Sequence, residues 1–311
     1  MKYLNILSEN WVAQKIKGHY FKKKILNVPE APADPRDWVL VGGRTGEGLE
    51  SVSEFSRRNL TPSVKNQGNI GSCVGHSGRV VYGSEEEFKN KEPSPMWIYK
   101  KGQTYDPWPG EDYSGTTIRG ACKALSKEGC CEEKYWPDKQ SENAPMLPGA
   151  KENAQTHKIK AYYVIPGSNA EEIKEALLKR PLWTSIKVRE HFFRTNRTGI
   201  VDSEKYLASK AAGGHAVSMV GWKTIEGKLY WEFQNSWGKW FGDEGFFFME
   251  DKLYQRVIIN SVGPHYIVPE QSEAPEPNPD PGPKPNQKKK AGIALLILGA
   301  IALAIHTIFS K

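Results

Sequence analysis

The sequence predicts an α+β protein of two lobes, a helical N-terminal lobe and a β-rich C-terminal lobe that face each other across a cleft. Three observations predict it. Val74 to Phe88 reads as a helix that opens at Cys73. Ile118, Ala121, Cys122 and Leu125 repeat at helical spacing and stop at Gly129. Beyond Pro181 the chain changes to short runs rich in β-branched and aromatic residues, Trp183 to Val188, Ala216 to Trp222, Leu229 to Phe233 and Phe246 to Met249, divided by glycine turns. A chain of 311 residues has room for one large two-lobed domain with appendages, and 10 Trp, 13 Tyr and 11 Phe are enough to build its core.

Taken in order, residues 1–33 are polar, carry a basic patch at Lys22-Lys23-Lys24 and end among prolines. They read as a loosely packed N-terminal extension, with a short regulatory arm as the alternative. Met1 to Asn10 holds no apolar core of the length a secretory signal needs. The folded domain is expected over 34–268, with an edge strand at Asp37 to Val41 and a turn-rich loop at Gly42 to Gly48. Ser168-Asn169-Ala170-Glu171 has capping-box spacing ahead of the apolar face Ile173, Leu177 and Leu178. After Val268 a proline-rich linker occupies 269–290. Ala291 to Phe309 then runs 19 residues with no charge apart from His306, the length and character of a transmembrane helix. Lys288-Lys289-Lys290 precede that segment, so a single-pass, C-terminally anchored chain with its folded domain on the cytoplasmic side is expected.

Charge and cysteine usage narrow the classes. A formal net charge of +7 without a basic stripe gives no reason to expect nucleic acid as a partner. Of the four cysteines, Cys122 falls on an inward helix face, and the neighbours Cys130 and Cys131 are badly placed to bond each other. A disulfide scaffold is not expected, and a reducing compartment fits better. No CxxC or Cys/His cluster suggests zinc. His19, His157, His191 and His265 have no motif around them and read as surface residues.

The chemistry gathers in three stretches. Gln67-Gly68-Asn69-Ile70-Gly71-Ser72-Cys73 places a thiol at a helix start, where unpaired amides and the positive end of the helix dipole favour thiolate. Gly213-Gly214-His215-Ala216-Val217 puts an imidazole on an apolar strand, and Phe233-Gln234-Asn235-Ser236-Trp237-Gly238 follows. In these motifs, in the chain order Cys, His, Asn and in a Cys-to-His interval inside the roughly 130 to 150 residues usual for papain and cathepsins, the sequence resembles the papain (C1) family of cysteine peptidases. Thr61-Pro62-Ser63-Val64-Lys65-Asn66, Ser94-Pro95 to Tyr99, Gly129 to Trp136-Pro137 and Gly245-Phe246-Phe247 extend the agreement from about Asp34 to about Val268.

The resemblance implies Cys73 as nucleophile, His215 as general base and acid, Asn235 as the group that orients the imidazole and Gln67 as an oxyanion donor. It implies Trp237 as a shield over the Asn–His bond, and Ser114-Gly115 as a segment that pairs with an extended substrate backbone. Gly214 and Trp237 join Ser114 and Gly115 as expected substrate-facing residues. The implied activity is thiol-dependent hydrolysis of peptide bonds in a protein or peptide substrate, with no metal or organic cofactor. A catalytically silent binding module, and an amidase or acyltransferase acting on a non-protein amide, are the alternatives. Two departures stand out. Val74, Gly75 and His76 follow the nucleophile where the family carries an aromatic, and Ile70 replaces a cysteine that many members use in a disulfide. His76, three residues beyond Cys73, reads as a hydrogen-bonded filler of the aromatic's place, with an alternative base as the rival reading.

Overall fold

A computed structural model describes residues 15–16, 19–20, 24–30, 49, 52–85, 88–108, 114–139, 141–166, 169–259 and 263–270. The expected edge strand at 37–41, its glycine loop, the linker from 271 onward and the apolar segment 291–309 lie outside the described residues. The chain divides into two units, 1–275 and 276–311, and the following concerns the first.

Two short strands, β1 (Lys15–Ile16) and β2 (His19–Tyr20), pair antiparallel. Strand β3 (Glu54–Ser56) follows and runs beside a later strand of the main sheet. The helical lobe is built from α1 (Cys73–Gly83), α2 (Pro95–Thr104), α3 (Ile118–Lys127) and α4 (Ala150–Gln155). Helix α1 is shorter than the Val74 to Phe88 expectation: Gly83 packs between Pro62 and Pro93, and the chain turns there. Helix α2 starts as its sequence dictates. Ser94 accepts the Trp97 amide at 3.0 Å, and Pro95 takes the first turn, where no amide is missed. Thr117 caps α3 by accepting the Gly120 amide at 2.9 Å, and Gly129 closes it with φ +78°.

The second lobe is a seven-stranded antiparallel sheet. In chain order come β4 (Ile159–Val164), α5 (Ala170–Lys179), β5 (Leu182–Arg189), α6 (Ser203–Ala208), β6 (Ala211–Ile225), β7 (Lys228–Gln234), β8 (Phe246–Glu250), α7 (Asp251–Val257) and β9 (His265–Pro269). They lie in the order β4-β9-β5-β6-β7-β8, with β3 against β6. All four expected β runs are strands, while β4 and β9 went unread. Asn169, not Ser168, caps α5, accepting the Glu172 amide at 3.2 Å; Ser168 lies outside the described residues. Strand β9 runs one residue into the stretch read as linker.

The lobes meet where α1 lies on β5 and β6. Trp183 donates its indole N–H to Ser77 Oγ at 2.7 Å, and Ser218 Oγ donates to the Ser77 carbonyl at 2.9 Å. Cys73, Cys122, Cys130, Cys131, Trp97 and Trp183 share one buried cluster. All four cysteines are buried and none is in a disulfide, so hydrophobic packing rather than disulfide bonding holds this lobe. His157 and His265 are buried too, correcting the surface reading: His157 packs its ring 4.8 Å from Phe88, and His265 lies within β9 opposite Trp183.

Candidate active site

Cys73 is the first residue of α1, on the cleft edge of the helical lobe. The segment before it is fixed from the other lobe. The Gln67 amide donates to the Ser236 carbonyl at 2.8 Å, Asn66 bridges to Trp237, and the Gly238 amide donates to the Lys65 carbonyl at 3.0 Å. Gln67 is fully buried; its side-chain N–H₂ donates to the Ile70 carbonyl at 2.9 Å and its carbonyl accepts the Ser236 hydroxyl at 2.6 Å. One of its two amide hydrogens is thus used, in an orientation that Ser236 enforces. The sequence reading named Ser236 within a motif and missed this task.

On the opposite wall, β6 and β7 run antiparallel with Ser218 opposite Gln234, which brings Asn235, just past β7, alongside His215. His215 Nε2 lies 2.8 Å from Asn235 Oδ1, and since that oxygen only accepts, Nε2 carries the hydrogen. The same oxygen accepts the Ser236 amide at 2.8 Å. His215 Nδ1 has no hydrogen-bond partner although the ring is fully buried. Leaving such an atom unpaired costs about 1–3 kcal/mol. The Cys73 sulfur is reached by the backbone amide of Ala216, the residue next to His215. Trp237 lies 4.7 Å from the imidazole, ring centre to ring centre, stacks on Phe193 at 5.2 Å and is itself fully buried.

Residues 24–30 lie across this cleft, which corrects the reading of the extension as loosely packed. Lys24, Leu26 and Val28 are all buried. The Gly214 amide donates to the Leu26 carbonyl and the Val28 amide donates to the Gly214 carbonyl, each at 3.2 Å, so that Asn27 and Gly214 form a parallel bridge. The strap needs the glycines beneath it: a Cβ on Gly115 (φ +115°) would strike the Asn27 carbonyl, and one on Gly213 (φ +140°) would strike that of Leu26. Lys24 Nζ donates to Asn66 Oδ1 and to the Gly68 carbonyl, both at 2.9 Å. No sequence motif marks Lys24; the basic patch was visible, its buried end was not.

Of the expected substrate-facing residues, Gly214 is the one whose backbone pairs with an extended segment. Gly115 has both backbone groups engaged from within its own lobe, its amide with the Tyr99 hydroxyl at 3.2 Å and its carbonyl with Gln103 at 3.0 Å. It contributes clearance. Ser114 is half-buried, 3.4 Å from Glu142, and Trp237 lies beneath the site with no exposed surface.

Covering the cleft sets the electrostatics. Burial pushes the Cys73 thiol up to about 11, outweighing the helix start that favours thiolate. Burial also pushes His215 down to about 4, with the Asn235 bond opposing and the charges of Lys24 and His76 adding to the shift. Lys24 falls to about 8 through desolvation. The covered pair is therefore a neutral thiol beside a neutral imidazole. Among the described residues no group of three or more His, Cys, Asp or Glu could hold a metal ion.

Known proteins resemble this chain in sequence and in fold. The model of the papain family cysteine proteases matches residues 52–263. A cathepsin L-like proteinase of Fasciola hepatica is 30% identical over 232 residues, 73% of this chain and 68% of that one. The cysteine proteinase RD21A of Arabidopsis thaliana is 27% identical over 70% of this chain, which spans only 46% of its length. Among solved structures, xylellain, a cysteine protease from Xylella fastidiosa, superposes with a TM-score of 0.66 at 23% identity, covering 79% of this chain and 97% of that one. Procathepsin B S9 from Trypanosoma congolense gives 0.59 at 14%, covering 78% and 87%. The chain is a two-lobed α+β member of the papain family of cysteine proteases, a hydrolase of the cysteine peptidase type.

Proposed function

We propose that the chain hydrolyses peptide bonds by acyl transfer through Cys73, His215 and Asn235, that residues 24–30 hold it latent, and that 291–309 anchor it to a membrane. The carrying observation is the imidazole of His215, fixed by Asn235 through one nitrogen and left unpaired at the other, beside the amide that reaches the Cys73 sulfur. With the strap displaced, solvent returns and proton transfer from thiol to imidazole is no longer opposed by burial. The thiolate attacks the substrate carbonyl. The Gln67 side chain and the Cys73 amide hold the oxyanion, and the imidazolium protonates the leaving amine. His215 then takes a proton from water, which releases the acyl group and restores the thiol. Asn235 keeps the ring in the plane these transfers need.

The latency reading rests on backbone geometry. Leu26 to Val28 pair with Gly214 as an extended peptide would, so strap and substrate compete for one place. A silent binding module draws support from the complete burial of Cys73, whose buried cluster includes Val28 of the strap. Turnover of a fluorogenic peptide separates them: Cys73→Ala abolishes it with the circular dichroism spectrum unchanged, whereas equal turnover in Cys73→Ala removes this site from the reaction. For the anchor, protease protection in sealed vesicles leaves a tag at Met1 digestible; a shielded tag reverses the orientation.

A further inference from the structure

We propose that His76 is a positioning residue for the oxyanion-binding amide of Cys73, acting through the peptide plane that joins Ser72 to Cys73. Ser72 is the N-cap of α1, yet its side chain makes no capping bond. What fixes this helix start is His76. Its backbone amide donates to the Ser72 carbonyl at 2.9 Å, and its Nδ1 lies 3.1 Å from the same oxygen and 3.2 Å from the Ser72 hydroxyl. In either tautomer the ring is tied to Ser72 through Nδ1, which donates to the carbonyl or accepts from the hydroxyl. On the far side Nε2 lies 2.9 Å from Asp138 Oδ2, and the two side chains are only 2% and 7% exposed. Both ring nitrogens have hydrogen-bond partners.

The consequence runs through covalent geometry. In a trans peptide the C=O and the following N–H point in opposite directions. The His76 amide and ring together hold Ser72, with its carbonyl towards the helix, which aims the Cys73 N–H the other way. Donors on the carbonyl also polarise the amide, making its hydrogen a stronger donor. Asp138 holds the ring in place and belongs to a stretch that further on supplies Glu142 to Tyr99 at 3.0 Å and to Lys100 at 2.6 Å, so the clamp is braced against the helical lobe. An aromatic hydrocarbon at position 76 could fill the volume and make none of these bonds. The inference rests on the reading of the Cys73 amide as an oxyanion donor.

Three readouts on the full chain test it: kcat and KM on a fluorogenic peptide, the affinity of a peptidyl aldehyde whose thiohemiacetal oxygen enters the oxyanion site, and the rate of Cys73 alkylation by iodoacetamide. Alkylation forms the S–C bond as iodide leaves and passes through no oxyanion. His76→Phe lowers kcat and aldehyde affinity by about tenfold each, a partial loss against the roughly 100- to 1000-fold of removing a donor outright. KM and the alkylation rate stay within about twofold. Asp138→Asn, which keeps a polar partner for Nε2, stays near wild type in all three, while Asp138→Ala follows His76→Phe. Unchanged aldehyde affinity in His76→Phe, or alkylation falling in step with kcat, overturns the proposal and leaves the site reading intact. A chain with its strap loosened by Lys24→Met that neither cleaves nor alkylates at Cys73 overturns both.

Discussion

His76 and His215 are buried alike on facing walls of the cleft, and they differ in what their nitrogens are given. At the start of α1 both nitrogens of His76 have partners, a carbonyl and hydroxyl on one side and a carboxylate on the other. On β6, His215 has one partner, Asn235, and its second nitrogen is left unpaired in the interior. The difference matches the two proposed roles, a side chain that holds its neighbours and one that exchanges a proton. Burial alone does not distinguish them.

That contrast is broken most severely by removing what the unpaired nitrogen serves. Cys73→Ala reduces peptide turnover to background, whereas Cys122→Ala, a thiol equally buried on α3, leaves turnover within about threefold and costs stability instead, by an amount typical of small core changes. Fluorogenic peptide assays with parallel thermal melts check both. Next in size is Gln67→Ala, expected to lower kcat on the order of 100-fold with KM little changed. Ser236→Ala, which frees the Gln67 carbonyl but leaves its amide, follows in the same direction with a smaller loss, about tenfold in kcat.

The strap gives the comparison a pH dependence whose sign is fixed. Lys24 is held at about 8 when docked, against an ordinary value of 10.5, because the docked ammonium is desolvated. Between those values the docked form binds fewer protons than the open form, so docking strengthens as pH rises from about 8 and is insensitive to this group below it. The ratio of Cys73 labelling rates, wild type over Lys24→Met, therefore falls as pH is raised from 8 to 10. A ratio flat across that range removes Lys24 from the closing contact. Lys24→Met also loses bonds to Asn66 and Gly68, so at pH 7 it labels faster than wild type by a few-fold.

How far the sequence carried this account differs from element to element. The thiol, the imidazole, the carboxamide and Gln67 lie in short motifs whose residue types the chemistry demands, and they were readable before any coordinates. The strands of the second half were readable because β-branched and aromatic runs sat between glycines. Strand β4 was missed because Lys160, Ala161, Tyr162 and Tyr163 offer no clean alternation, and β9 because it abuts the proline-rich stretch. The strap was misread for a deeper reason. Lys-Ile-Leu-Asn-Val carries no helix or strand signal of its own, and its order comes from glycines nearly 90 and 190 residues away that leave room for its backbone. Asp138, too, is an ordinary carboxylate in a loop until the fold sets it against His76.

The central claim, that Cys73 is the one reactive thiol and His215 the group that activates it, is tested most directly by treating the full chain with a peptidyl vinyl sulfone and locating the adduct by mass spectrometry. The account predicts a single adduct on Cys73, none on Cys122, Cys130 or Cys131, and loss of that adduct in His215→Ala. An adduct on another cysteine, or labelling of Cys73 that proceeds at the wild-type rate in His215→Ala, would contradict it.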